Sequence, residues 1–175
     1  MCQFQALAKK CGPNDPVPDL IWLLDHGKMT TIPAATTTPG SNIWNTIVTD
    51  VTLDAGLSAG EKWQNIQVRR RSSDFILDDK GEQDANQYTE QKLTTFYPES
   101  DEEAMYKLGV TKGWTGYVAF KNGNGKTILW GTLLNEVELT KCTFTASKGG
   151  WDLEFMRIAP AAEGSPPFYE GDIVE

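Results

Sequence analysis

Alternation of apolar and polar positions is the dominant pattern along this chain, and it predicts strands far more often than helices. From Trp114 to Trp130 the sequence runs WTGYVAFK, then NGNG, then KTILWG. The Asn-Gly pairs at 122–125 accept the positive φ angles of a tight turn. The flanking runs carry β-branched and aromatic residues suited to a pleated, half-buried surface, so a β-hairpin is predicted, with Val118 and Phe120 on its core side. A second hairpin is predicted from CTFTAS, the turn KGG and WDLEFMRI, where Trp151, Leu153 and Phe155 face one way and Asp152 and Glu154 the other.

The same rule organises the first half of the chain. LIWLL at Leu20 to Leu24 predicts a buried strand. Asn42 to Leu53 predicts an extended segment with Ile47, Thr49, Val51 and Leu53 on one face, and Glu61 to Arg69, which alternates less strictly, a strand with Ile66 and Val68 on one face. Tyr88 to Tyr97 is long and alternating, as a strand with one wet face should be, and Leu133 to Leu139 is extended as well. Only Asp101 to Leu108 predicts a helix. Ser100 is expected to cap it with Glu103 reaching back, Gly109 to end it in a left-handed conformation, and Ala104, Met105 and Leu108 to lie on the sheet.

Prolines 13, 16 and 18 predict an irregular arm over residues 1–18, Thr30 to Gly40 a loop, Gly56 to Gly60 a turn, and the Pro-rich acidic tail at 160–175 an extended arm. The whole, 1–175, is expected to be one mostly β domain with a minor α part. No 20-to-50-residue repeat suggests a solenoid, and helices do not alternate with strands as a doubly wound sheet requires.

One segment breaks the alternation. RSSDFILDDKGEQDANQ, from Arg71 to Gln87, is polar and acidic apart from Phe75, Ile76 and Leu77. So long a connection between two strands is expected to be functional or disordered, to lie outside the core, and to be dispensable for folding.

Composition narrows the function. A formal charge of −8 argues against wrapping nucleic acid through its phosphates, which needs a cationic face to release counterions. Cys2, Cys11 and Cys142 show neither a C-x-x-C spacing nor an even count, so neither a disulfide framework nor a zinc knuckle is indicated. There is no secretory-signal pattern at the start and no run near the roughly 20 apolar residues that span a bilayer, so a soluble protein made inside a cell, with no membrane partner, is expected.

Candidate chemistry is sparse. Gly125-Lys126-Thr127 matches the end of a phosphate-binding loop, but the first glycine of that motif would fall on Phe120, and the following ILWG predicts a strand rather than a helix. His26 is the single histidine, beside Asp25 in a predicted turn; sequence adjacency to an acid is poor support for a catalytic pair. Asp78-Asp79, Asp101-Glu102-Glu103 and Asp152/Glu154 lack calcium-loop spacing and are expected to be solvated. Arg69, Arg70 and Arg71 suit salt bridges at an intersubunit contact or strand edge. Six tryptophans serve either a core or a carbohydrate platform. No catalytic residue, metal or cofactor is expected.

The order of features is informative as a whole: GKMTTIP near the start, an amphipathic strand, a capped helix ending in LG, the hairpin YVAFKNGNGKTILWG, then GGWDLEF and a Pro-aromatic tail. This order resembles phage tail tube proteins and related tail proteins from phages and prophages of Bacteroides-type bacteria. The resemblance implies a β-sandwich or barrel with one short flanking helix, and a homo-oligomeric ring of six copies joined sheet edge to sheet edge. It further implies rings stacked into a tube with other tail proteins as partners, DNA only as passing cargo, and a place in the virion tail after synthesis in the host bacterial cytoplasm. The family places a loop reaching the neighbouring subunit where this chain carries Arg71, Asp74, Phe75, Ile76, Leu77, Asp78 and Asp79. The acidic excess suits a lumen through which DNA slides, because like charges do not adhere. A ligand-binding β-sandwich that takes carbohydrate on surface tryptophans is the alternative.

Overall fold

The computed structural model describes residues 19–38, 45–69, 72–81, 87–121, 126–160, 163 and 165–175. In chain order these form β1 (Asp19–Asp25), β2 (Met29–Thr31), β3 (Thr46–Ile47), β4 (Thr52–Leu53), β5 (Gln64–Val68), β6 (Asp74–Lys80), β7 (Tyr88–Tyr97), α1 (Glu102–Gly109), β8 (Thr115–Lys121), β9 (Thr127–Trp130), β10 (Val137–Thr145), β11 (Gly150–Pro160) and β12 (Phe168–Tyr169). The fold is mostly β, barrel-like, with one helix, as expected. Ten strands share one sheet in the order β3-β12-β9-β8-β10-β11-β7-β6, with β1 also on β8 and β5 on β1. The short strands β2 and β4 pair separately.

The long sheet curls until its parts meet. The Arg69 N–H, just past β5, donates to the Phe96 carbonyl at the end of β7 at 3.0 Å, and the strands enclose a core built from Ile21, Leu23, Ile66, Leu93, Val118, Phe120, Trp130 and Phe155 among others. A second apolar layer lies on the outside of β1 and β8, where Trp22, Leu24, Tyr117 and Ala119 pack with Ile47, Val51, Trp63 and Tyr169. Burial on both faces explains why LIWLL and YVAF read as unbroken apolar runs. β7 and β11 bury only one face, which is why they alternate.

Gly116 is required where β1, β8 and β10 meet: a Cβ there would stand 2.1 Å from the Leu24 carbonyl oxygen. The strand positions of both predicted hairpins, β8 with β9 and β10 with β11, match the expectation. The turn at 122–125 lies outside the described residues, as do the N-terminal arm, Trp44, Cys2 and Cys11.

Several expectations are corrected. The helix is capped by Asp101, whose carboxylate accepts the Ala104 N–H at 2.9 Å, rather than by Ser100; a carboxylate carries the charge that favours the positive end of the helix. Glu103 pairs with Lys107 one turn on instead of reaching back. Gly109 is the last helical residue and the chain stays right-handed at Val110. Ala104 and Leu108 are buried, whereas Met105 is 44% exposed. The stretch expected to be a loop from Thr30 begins as β2, and the described part of the segment expected to be extended up to Leu53, from Asn45 on, holds only the two-residue strands β3 and β4. Leu133 and Leu134 form a turn rather than a strand. The tail is not simply an arm: β12 lies parallel to β3 and antiparallel to β9, and buries Tyr169.

A short 3-10 turn at Ala59–Glu61 is pinned to the body of the molecule by charge. The Glu61 carboxylate accepts from the Lys28 ammonium at 2.8 Å and from the Ser58 N–H and hydroxyl at 3.2 and 3.0 Å. These contacts, Lys28 foremost, hold its pKa down to about 2 from an ordinary 4.5. Because the folded-state value is the lower one, the stabilisation is complete above pH 4.5 and is lost as the pH falls toward 2. Lys28→Ala is therefore expected to raise the Glu61 pKa toward its ordinary value in a carboxyl-carbon NMR titration.

Candidate functional site

The segment singled out from the sequence is not a loop. Asp74, Phe75, Ile76, Leu77, Asp78 and Asp79 all lie in β6, paired antiparallel with β7 from Asp74↔Thr94 to Lys80↔Tyr88. Arg71 lies outside the described residues. The expectation that the segment stands clear of the core is likewise corrected. Phe75 points inward, its ring 5.0 Å from that of Phe120 and 5.2 Å from that of Trp130, both tilted or edge-on.

The rest of β6 runs beyond the core. Leu77 shares the inward side of Phe75 yet is 44% exposed, and Ile76 on the other side is 46% exposed. Asp79 accepts a hydrogen bond from the Thr89 hydroxyl at 2.7 Å, and Asp78 pairs with Lys80. Among the described residues β6 has β7 on one side and no strand on the other. It is thus a seven-residue edge strand with bare backbone groups and exposed aliphatic side chains, a combination that invites pairing with another chain.

β6 borders a four-stranded surface. Cross-strand registers align Asp74, Thr94, Glu154 and Lys141 in one outward row, Ile76, Lys92, Met156 and Glu138 in the next, and Asp78, Glu90 and Ile158 in a third. No described apolar layer covers this face, in contrast to the outside of β1 and β8. On its strands the carboxylates Asp74, Asp78, Glu90, Glu138, Asp152 and Glu154 outnumber Lys80, Lys92 and Lys141. Three of the carboxylates are neutralised locally, Asp78 by Lys80, Glu154 by Lys92 at 3.1 Å and Asp152 by Lys148 at 3.0 Å. At one end Arg69 and Lys148 lie over the Phe96 ring, 5.9 and 6.0 Å from its centre, which gives the described part of the arginine triplet a place on the sheet surface.

The polar cluster that sequence reasoning missed lies on the inner side of the same strands. Arg157 is only 3% exposed; its Nε donates to the Asn135 carbonyl at 2.9 Å and its Nη1 to Gln91 Oε1 at 3.3 Å, and it pairs with Glu163. Gln91 Oε1 also accepts the Trp130 N–H at 2.6 Å. Both residues fall on the inward parity of their strands, two positions from Phe155 and Leu93, so alternation carried one step further would have found them. Arg157 holds the turn at 132–135, whose tip presents Leu134 at 99% exposure.

The remaining sequence candidates are dispersed. His26 Nδ1 lies 2.6 Å from Glu136 Oε2, whereas the neighbouring Asp25 is buried and accepts the Trp114 N–H at 2.8 Å. The two are therefore not one pair. Lys126 sits over the Phe168 ring, and a strand follows it. Cys142 is half-buried and unbridged, its thiol pKa pushed up by burial. Among the described residues no three His, Cys, Asp or Glu side chains gather to hold a metal ion, and no helix is long and apolar enough to cross a membrane. Trp22, Trp63, Trp114, Trp130 and Trp151 are all buried. Trp63 and Trp151 leave the indole N–H without a partner, an omission that costs roughly 1–3 kcal/mol each and is offset by the apolar area their rings bury. No protein-family model, curated protein or solved structure matches the chain.

Proposed function

We propose that this chain is a virion structural protein, a subunit of a phage tail tube or of a close relative, that joins copies of itself into a ring around a passage for DNA. The observation that carries the proposal is the open four-stranded surface β6-β7-β11-β10: one face belongs to the core, the other is wet and bears more carboxylates than lysines on its strands, and it ends in the exposed edge β6. A bare edge of this length is a liability in a monomer and an asset in a closed ring, where each edge is covered by the next copy. A wet face that repels phosphate suits the wall of a DNA passage.

Burial of five tryptophans in the two apolar layers supports this reading over a carbohydrate platform, which needs flat aromatic rings in solvent. Sedimentation velocity across a concentration series tests it. Discrete species at a fixed multiple of the chain mass are expected; a monomer at every concentration would count against assembly.

A further inference from the structure

We infer that the turn tipped by Leu134 is the knob of a knob-and-socket contact between neighbouring copies, and that the pocket walled by Val51, Leu53, Trp63 and Val174 is its socket. The inference rests on the assembly reading above and adds a specific contact to it. The turn is built to stand still. Thr132 and Asn135 exchange backbone hydrogen bonds at 2.9 and 3.2 Å, the Asn135 side-chain amide donates to the Ile158 carbonyl at 2.6 Å, and the buried Arg157 donates to the Asn135 carbonyl at 2.9 Å. All this fixes two leucines that belong to neither apolar layer, Leu133 at 45% and Leu134 at 99% exposure. A rigid, protruding apolar tip loses little freedom on docking, which is what a contact residue requires.

The socket matches the tip in size and in chemistry. It is a pocket of about 390 Å³ beside the outer apolar layer, open to solvent and roomy enough for the leucine tip of a turn. Its polar wall suits the backbone of the tip as well. Among the described residues the N–H groups of Leu133 and Leu134 have no acceptor, and the Asp172 carboxylate on the pocket wall accepts no hydrogen bond. Asp50, also on that wall, is already taken by the Asp172 N–H at 2.8 Å. The turn itself, Thr132-Leu133-Leu134-Asn135, carries no charge that a carboxylate would repel, and bare N–H donors facing a carboxylate form the stronger class of hydrogen bond.

Position makes the contact head-to-tail. Gln64, Leu23, Val118 and Trp130 form one row across β5, β1, β8 and β9. The next row holds Trp63, Leu24, Tyr117 and Gly131, with the socket at its first residue and the turn starting just past its last. Knob and socket therefore lie at opposite ends of one row, at one level along the strands. A copy rotated about an axis parallel to the strands brings its tip to the level of its neighbour's pocket, and a contact without rise closes into a ring instead of climbing as a helix. One leucine tip is a small part of the roughly 1,200–2,000 Å² that a stable interface buries, so it locks a junction whose larger area lies elsewhere, as at the edge β6.

Separate removal of knob and socket tests the assignment by sedimentation velocity. Leu134→Asp changes a fully exposed side chain and Val174→Trp fills the pocket from a half-exposed one, and circular dichroism checks that each variant folds. If either fails to fold, Leu134→Ser or Val174→Phe takes its place, with the same direction of effect. Each variant alone is expected to need at least about a tenfold higher concentration to assemble than the wild type, the scale set by one buried leucine. An equimolar mixture should behave differently: the intact tip of the V174W copy fits the intact pocket of the L134D copy, so pairs of twice the chain mass form where each variant alone is a monomer. Variants that assemble like the wild type, or a mixture that yields no pairs, would overturn the knob-and-socket assignment alone. A wild-type chain that stays monomeric at every concentration would overturn the assembly reading and this contact with it.

Discussion

Phe75→Ala is expected to lower stability by about 3 kcal/mol, read as a shift of the urea midpoint at unchanged slope. The ring packs against Phe120 and Trp130, which belong to β8 and β9 on the far side of the core. Truncation removes its apolar area and leaves a hole that two large, tilted rings cannot easily fill, and the value lies toward the lower end for a lost aromatic because the side chain is only half-buried. A change under about 1 kcal/mol would mean that β6 docks on the barrel without being part of it. The same geometry implies that removing residues 72–86 costs the fold as well as any assembly, since Phe75 goes with them.

The second large effect separates folding from assembly. Ile76→Lys combined with Leu77→Lys leaves Phe75 in place and changes only side chains that are nearly half exposed, so stability should move by no more than about 1 kcal/mol. Charged residues on an edge strand are the device by which sheets avoid pairing with other chains. The concentration required for assembly should therefore rise at least about a hundredfold, measured by light scattering on the eluting species. Unchanged assembly would remove β6 from the interface, and a collapse of stability would show that its aliphatic pair contributes to the core.

The fold is largely legible where local pattern and final environment agree. β7 can be read with its boundaries because ten residues alternate over a sheet with one buried face, and the hairpin of β8 and β9 because its turn residues and apolar runs are local signals. β6 escapes such a reading for the converse reason. Phe75 is the one residue of that strand packed on the core, and Asp74, Asp78, Asp79 and Lys80 give the rest the composition of a loop. An edge strand that outruns its core has no reason to alternate. β12 is two residues long, and its partners β3 and β9 are far away in sequence, so no window of the chain contains the information that places it. The helix cap shifts by one residue because two adjacent acceptors, Ser100 and Asp101, compete for the same amides, and the charged one prevails.

The candidate surface is half legible. Its residues stand out by an excess of acid around three apolar positions, and these residues do lie together on one strand. The nature of the surface is not legible: an open sheet edge arises from which strands neighbour β6, and that depends on long-range pairing. Gln91 and Arg157 need only the parity of their strands, but a buried arginine runs against the expectation that charges face water, and it is tolerated here because Gln91, the Asn135 carbonyl and Glu163 satisfy it.

The central claim is that this chain is built to assemble through its open sheet. Electron microscopy of the purified wild-type protein over a range of concentrations tests it most directly. Rings with a central opening, or tubes of stacked rings, are the expected result; monodisperse single copies at every concentration, including those at which the sedimentation series is saturated, would contradict it.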